Sequence, residues 1–89
     1  MRAVGITQRV SLVPAYGERR DCLDQAWTRF LSACGLLPLL LPNVAEVALD
    51  LCHAVAISGL VLTGGNDLAD LGGDAPERDA VENALLDLA

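Results

Sequence analysis

The sequence predicts an α/β fold in the order strand, helix, strand, helix, strand, helix. Three observations predict it. Short apolar runs alternate with longer stretches whose apolar residues recur every three or four positions. Each helical stretch opens on a capping residue or closes on glycine. The run Gly59-Leu60-Val61-Leu62-Thr63 is apolar on both faces and stops at Gly64-Gly65, as a buried parallel strand does. Alternation of this kind implies parallel strands, right-handed crossovers and helices on both faces of the sheet, a three-layer arrangement.

Ala3 to Thr7 forms the first strand, with an alternative reading that continues it through Val10. Ser11 to Arg20 reads as a polar loop, because Pro14 and Gly17 interrupt any continuous helix or central strand. Asp21 is expected to cap the first helix, with Leu23, Trp27, Phe30, Leu31 and Cys34 on its buried stripe and Gly35 as its left-handed stop. Leu37 to Leu41 is a second strand, short or near an edge because of Pro38. Asn43 and Glu46 make a capping-box pattern for a second helix. Its inner face is expected at Val44, Val47, Ala48, Leu51 and Val55, with Glu46, Asp50 and His53 toward water. The third strand follows Ser58-Gly59 and is expected to be central. After a loop, Asp74, Pro76 and Glu77 announce a third helix with Val81, Ala84, Leu85 and Leu88 inward.

With 89 residues, 1–89 is at most one domain, and 53% hydrophobic content is high for so little interior. Some apolar surface is therefore expected to meet another element, and one edge of the third strand stays unpaired unless another chain supplies a strand. The net charge is -6, and every basic residue apart from the single histidine is arginine. That balance argues against nucleic acid and anionic membrane as partners. No apolar run reaches the roughly 18 residues of a spanning helix, and Met1 to Gly5 lacks a signal-peptide layout. The three cysteines are odd in number and have no CxxC spacing, which indicates neither a zinc site nor a disulfide framework. A reducing, cytoplasmic setting is expected, with no metal and no cofactor.

In an open parallel sheet, ligands sit outside the carboxyl ends of the strands. The Gly64-Gly65 turn lies there, and bare amides on it suit an anion or a developing oxyanion; the same glycines also serve a plain tight turn. Asn66 and Asp67 either contact substrate or bond their own backbone. Arg9 at the end of the first strand suits a carboxylate or phosphate, against a surface ion pair. Cys34 and Cys52 read as small buried residues, Cys22 as a thiol near a helix start without a nucleophile elbow, and His53 as solvated. Asp67, Asp70 and Asp74 lack the EF-hand spacing, and no glycine pattern matches a dinucleotide or P-loop fingerprint.

Together, Gly5-Ile6-Thr7-Gln8-Arg9, Leu23-Asp24-Gln25-Ala26-Trp27, Leu39-Leu40-Leu41-Pro42-Asn43, Leu62-Thr63-Gly64-Gly65-Asn66-Asp67 and Arg78-Asp79 resemble the class I glutamine amidotransferase superfamily, in its gamma-glutamyl hydrolase-like branch. The resemblance implies the N-terminal half of a flavodoxin-like sheet and a cysteine-dependent hydrolysis of a γ-glutamyl amide. It places the oxyanion hole at Gly64 and Gly65 and substrate contacts at Arg9, Asn66 and Asp67. The family's nucleophile sits on a Gly-x-Cys-x-Gly turn after a fourth strand, with histidine and acid further on. None of the three has a counterpart in these residues, so no catalytic residue is assigned and the chain alone is expected to be inactive. The alternative is a non-catalytic binding or assembly module, completed as a homodimer or by a complementing chain at the open sheet edge. A small flavodoxin-like nucleotide binder is disfavoured by the missing phosphate fingerprint.

Overall fold

A computed structural model describes residues 1–63 and 75–88. Eight elements follow one another: β1 (Arg2–Ile6), β2 (Arg9–Val13), β3 (Glu18–Cys22), α1 (Gln25–Ala33), β4 (Leu36–Leu40), α2 (Ala45–Ala54), β5 (Ile57–Val61) and α3 (Pro76–Leu88). The predicted α/β alternation is present, with β1, β4 and β5 forming a parallel sheet in the order β4-β1-β5. The expected central position of the third strand is not what forms. β1 is the middle strand, and β5 pairs only with β1 among the described residues.

The predicted polar loop of Ser11 to Arg20 is an antiparallel hairpin of β2 and β3. Its turn closes through Tyr16 N–H to the Val13 carbonyl at 3.1 Å and Gly17 N–H to the Pro14 carbonyl at 3.3 Å. Gly17 sits at φ 63°, the region that favours glycine. β3 carries no apolar alternation, which is why its pattern reads as loop. Polar pairs sustain it instead: Arg20 meets Glu18 at 2.6 Å, and Arg19 grips Glu77 of α3.

The first helix starts later than the sequence suggests. Asp24, not Asp21, is its N-cap, accepting from the Ala26 N–H at 2.8 Å. Gly35 ends it at φ 78°, as expected. Of the expected stripe only Leu31 is buried, while Phe30 and Cys34 are exposed. The second helix is capped by Val44 without any side-chain bond, so the Asn43–Glu46 capping box does not form. Its inner face is rotated from the expected one: Ala48 and Cys52 are buried, whereas Val44, Val47 and Val55 are exposed. Both stripes are apolar, so periodicity alone could not choose. The smaller residues face inward, where they let α2 approach the sheet and α3 closely.

The core on that side joins Leu41, Ala48, Cys52, Val81 and Leu85, with Leu39, Ile57 and Leu60 packed against it. Gly5 lies beneath it. A Cβ there would stand 3.0 Å from Leu60 Cδ2 and 3.1 Å from Leu41 Cδ1. Gly5→Val should therefore overpack the centre of the sheet and lower the unfolding free energy by about 1–3 kcal/mol, read from denaturant midpoints.

Candidate functional site

The carboxyl ends of β1 and β5 meet in a buried polar cluster. Each apolar strand is followed within two residues by a threonine, Thr7 and Thr63, and both are buried. The Thr7 N–H donates to the Val61 carbonyl at 3.0 Å, which keeps the parallel pairing intact to the strand ends. The Thr63 N–H donates to Thr7 Oγ1 at 2.9 Å, and the Thr63 hydroxyl donates to the Thr7 carbonyl at 3.0 Å. Thr7 Oγ1 in turn donates to Glu82 Oε2 at 3.2 Å. Each hydroxyl has one proton, so these bonds set both rotors. Thr63 Oγ1 is then an acceptor for the Arg78 guanidinium at 2.9 Å.

Arg78 is 3% exposed. It also donates to the Thr63 carbonyl and lies 3.6 Å from Glu82, one helical turn along α3. A buried guanidinium is tolerable only when paired and hydrogen-bonded, and here Thr63 and Glu82 do both. The result is a fixed anchor at Thr63, the residue immediately before Gly64.

A second polar group continues along the same edge toward β4. Gln8 Nε2 donates to the Leu41 carbonyl at 2.9 Å. Asn43 Nδ2 donates to the Gln8 carbonyl and to Asp21 Oδ1, both at 3.0 Å, and the Asn43 N–H donates to Asp21 Oδ2 at 3.1 Å. Asp21 thus binds the hairpin to the end of β4 rather than capping a helix. Asn43 Oδ1 is buried and has no hydrogen-bond partner among the described residues.

Gly64, Gly65, Asn66 and Asp67 lie outside the described residues, as do Asp70 and Asp74. Arg9 opens β2, is exposed, and stands opposite Cys22 in the hairpin register. Cys22 ends β3, two residues before the α1 N-cap Asp24. Cys34 is exposed, and burial raises the Cys52 thiol above its ordinary pKa, which disfavours a nucleophilic thiolate. His53 is exposed on α2, as expected. Among the described residues no group of His, Cys, Asp or Glu side chains is arranged to hold a metal ion, and no helix is long and apolar enough to cross a membrane.

The Thr7–Thr63–Arg78–Glu82 cluster escaped the sequence reading as a unit. The signal was present: threonines directly after two apolar strands, and an arginine four residues before a glutamate on the third helix. Only the pairing of β1 with β5 brings them together. No protein-family model, curated protein or solved structure matches the chain.

Two outcomes are expected. Arg78→Met leaves the Thr63 carbonyl and Glu82 short of a donor and should cost about 2–4 kcal/mol in denaturant unfolding. The Arg19 guanidinium holds Glu77 below its ordinary value of 4.5. A depressed carboxylate pKa contributes stability above the unfolded value and loses it as pH falls through the folded one. Glu77→Gln should therefore flatten the stability profile below about pH 4.5, by less than about 1 kcal/mol because the pair is solvated; thermal melts across pH 3–6 check this.

Proposed function

We propose that this chain is the N-terminal portion of a glutamine amidotransferase-like γ-glutamyl amide hydrolase. In this reading Gly64 and Gly65 supply one side of the oxyanion hole, and Arg9, Asn66 and Asp67 form part of the substrate rim. The thiolate, the histidine and its acid come from a segment beyond these residues. Splitting amide hydrolysis through a thioester lets a stable bond be cleaved in two easier steps. The oxyanion needs N–H donors held in place before the carbonyl arrives, and losing one costs about 3 kcal/mol in the barrier.

The observation that carries the reading is the anchor at Thr63. A turn that stabilises charge works only if its supports do not move during the reaction. The residue leading into Gly64 is bonded through its N–H, hydroxyl and carbonyl to β1 and α3. It also lies at the carboxyl edge of a parallel sheet, where such folds bind ligands. Within the branch, Gly5 to Arg9, Tyr16-Gly17-Glu18 and Gly64-Gly65-Asn66-Asp67 resemble stretches of gamma-glutamyl-CDP-amidate hydrolase, a capsule-modification enzyme.

Titrating the isotopically labelled chain with glutamine tests the reading. Saturable shifts are expected at the Gly64, Gly65, Asn66 and Asp67 amides, with no ammonia released above background. Absence of any saturable shift there overturns the substrate rim. Ammonia release by this chain alone overturns the placement of the nucleophile.

A further inference from the structure

Basic charge in this chain is concentrated on the hairpin. Residues 9–22 hold three arginines against two acids, while the rest of the chain holds three arginines against ten acids. Cross-strand partners share a face of the ladder, and successive residues alternate between faces. The register pairs Arg9 with Cys22, Ser11 with Arg20 and Val13 with Glu18, so these six lie on one face. Val10, Leu12, Arg19 and Asp21 lie on the other. That second face is fastened to the domain: Val10 is buried, Asp21 bonds to Asn43, and Arg19 bonds to Glu77. The face carrying Arg9, Ser11 and Arg20 is therefore the one turned to solvent, on a ladder held at two points.

Three donors are gathered on that face. Arg9 and Arg20 are diagonal neighbours, a relation that sets two residues about 7–8 Å apart. The Ser11 hydroxyl stands beside both, opposite Arg20 and two residues along from Arg9. Long side chains at that separation can bring two guanidinium groups onto one anion. Arg9 is exposed and takes part in none of the ion pairs among the described residues. Arg20 places Nε and Nη2 on a single oxygen of Glu18, at 2.7 and 2.6 Å. Both side chains of that pair are more than half exposed, so it contributes little and yields to a stronger anion. Glu18 is thus a competitor for the site.

The donor set and the charge of the chain select the ligand. Two guanidinium forks and a hydroxyl suit a tetrahedral oxyanion with several acceptor oxygens better than a planar carboxylate with two. An extended polyanion does not fit, because the acid excess on the rest of the chain repels a phosphate backbone. A single phosphate group meets only the local excess of arginine. The β2–β3 ladder, its turn bonds at Tyr16 and Gly17, and the two anchors on the inner face hold the donors in place beforehand. Such preorganisation lowers the cost of binding.

We propose that the solvent face of the hairpin binds the phosphate group of a small molecule through Arg9, Ser11 and Arg20, with Glu18 displaced from Arg20 on binding. The site shares Arg9 with the γ-glutamyl reading but does not need it: phosphate binding is read on the hairpin and glutamine binding at Gly64 to Asp67, so either can fail alone. Titrating the isotopically labelled chain with inorganic phosphate at constant ionic strength tests it. Saturable shifts are expected at the Arg9 and Arg20 side-chain Nε–H groups and at the Ser11 amide. Acetate should bind at least about fivefold more weakly. Arg9→Gln should weaken phosphate binding at least about fivefold. Arg29→Gln makes the same charge change on α1 and should alter it less than about twofold, because remote exposed charges are screened. Glu18→Gln should tighten binding at least about threefold, a gain that loss of folding cannot imitate. Its charge-matched control, Asp50→Asn on α2, should change affinity less than about twofold. Absence of a saturable shift at Arg9 overturns the proposal. So do equal losses in Arg9→Gln and Arg29→Gln, an unchanged affinity in Glu18→Gln, or acetate bound as tightly as phosphate.

Discussion

Two parallel strands need their ends held as well as their middles, because the last residues of each leave backbone groups that must find partners or water. In this protein Thr7 and Thr63 solve that problem for each other. Side-chain oxygen replaces backbone oxygen as acceptor for the Thr63 N–H, and the Thr63 hydroxyl closes onto the Thr7 carbonyl. The arrangement buries polar atoms, so it demands a cation to satisfy the remaining acceptors, and Arg78 supplies it from α3. Glu82 then balances Arg78 and accepts a hydrogen bond from the Thr7 hydroxyl. The position of α3, the register of β5 and the departure point of Gly64 all depend on this closed set of bonds.

The hairpin is bound to the same edge by different means. Asp21 takes both hydrogen atoms that Asn43 turns toward it, one from the main chain and one from the side chain. Arg19 reaches Glu77 with two guanidinium nitrogens, the longer contact being 2.6 Å. β2 and β3 therefore meet the sheet at the end of β4 and meet α3 at its first turn. Arg9 opens that hairpin and stays exposed.

The alternation of strands and helices was legible because it rests on local pattern: Gly35 stops α1, and the apolar run beyond Gly59 supplies the second half of β5, which itself starts earlier, at Ile57. Three kinds of feature were not. The hairpin is held by ion pairs such as Arg19–Glu77 between residues 58 positions apart, and no window of sequence displays them. The face of α2 was ambiguous because Val44, Val47, Leu51 and Val55 recur at steps of three and four, just as Ala45, Ala48 and Cys52 do. The edge position of β5 depends on which strand takes the middle, and an apolar run says only that a strand is covered on its faces. At the candidate site, the Gly64-Gly65 pair was readable as a motif, while the bonds at Thr63 before it were not, since Thr7, Thr63 and Arg78 become neighbours only through tertiary pairing.

The central place of β1 has a consequence for assembly during synthesis. Arg2 is matched with Leu36 and Ala3 with Ile57, so the middle strand is made well before both strands that flank it. While the ribosome works, α1 is free to form from neighbouring residues, but Ile6 has no sheet to enter. Contacts so distant along the chain are slow to close, and an unflanked apolar strand is prone to mispair.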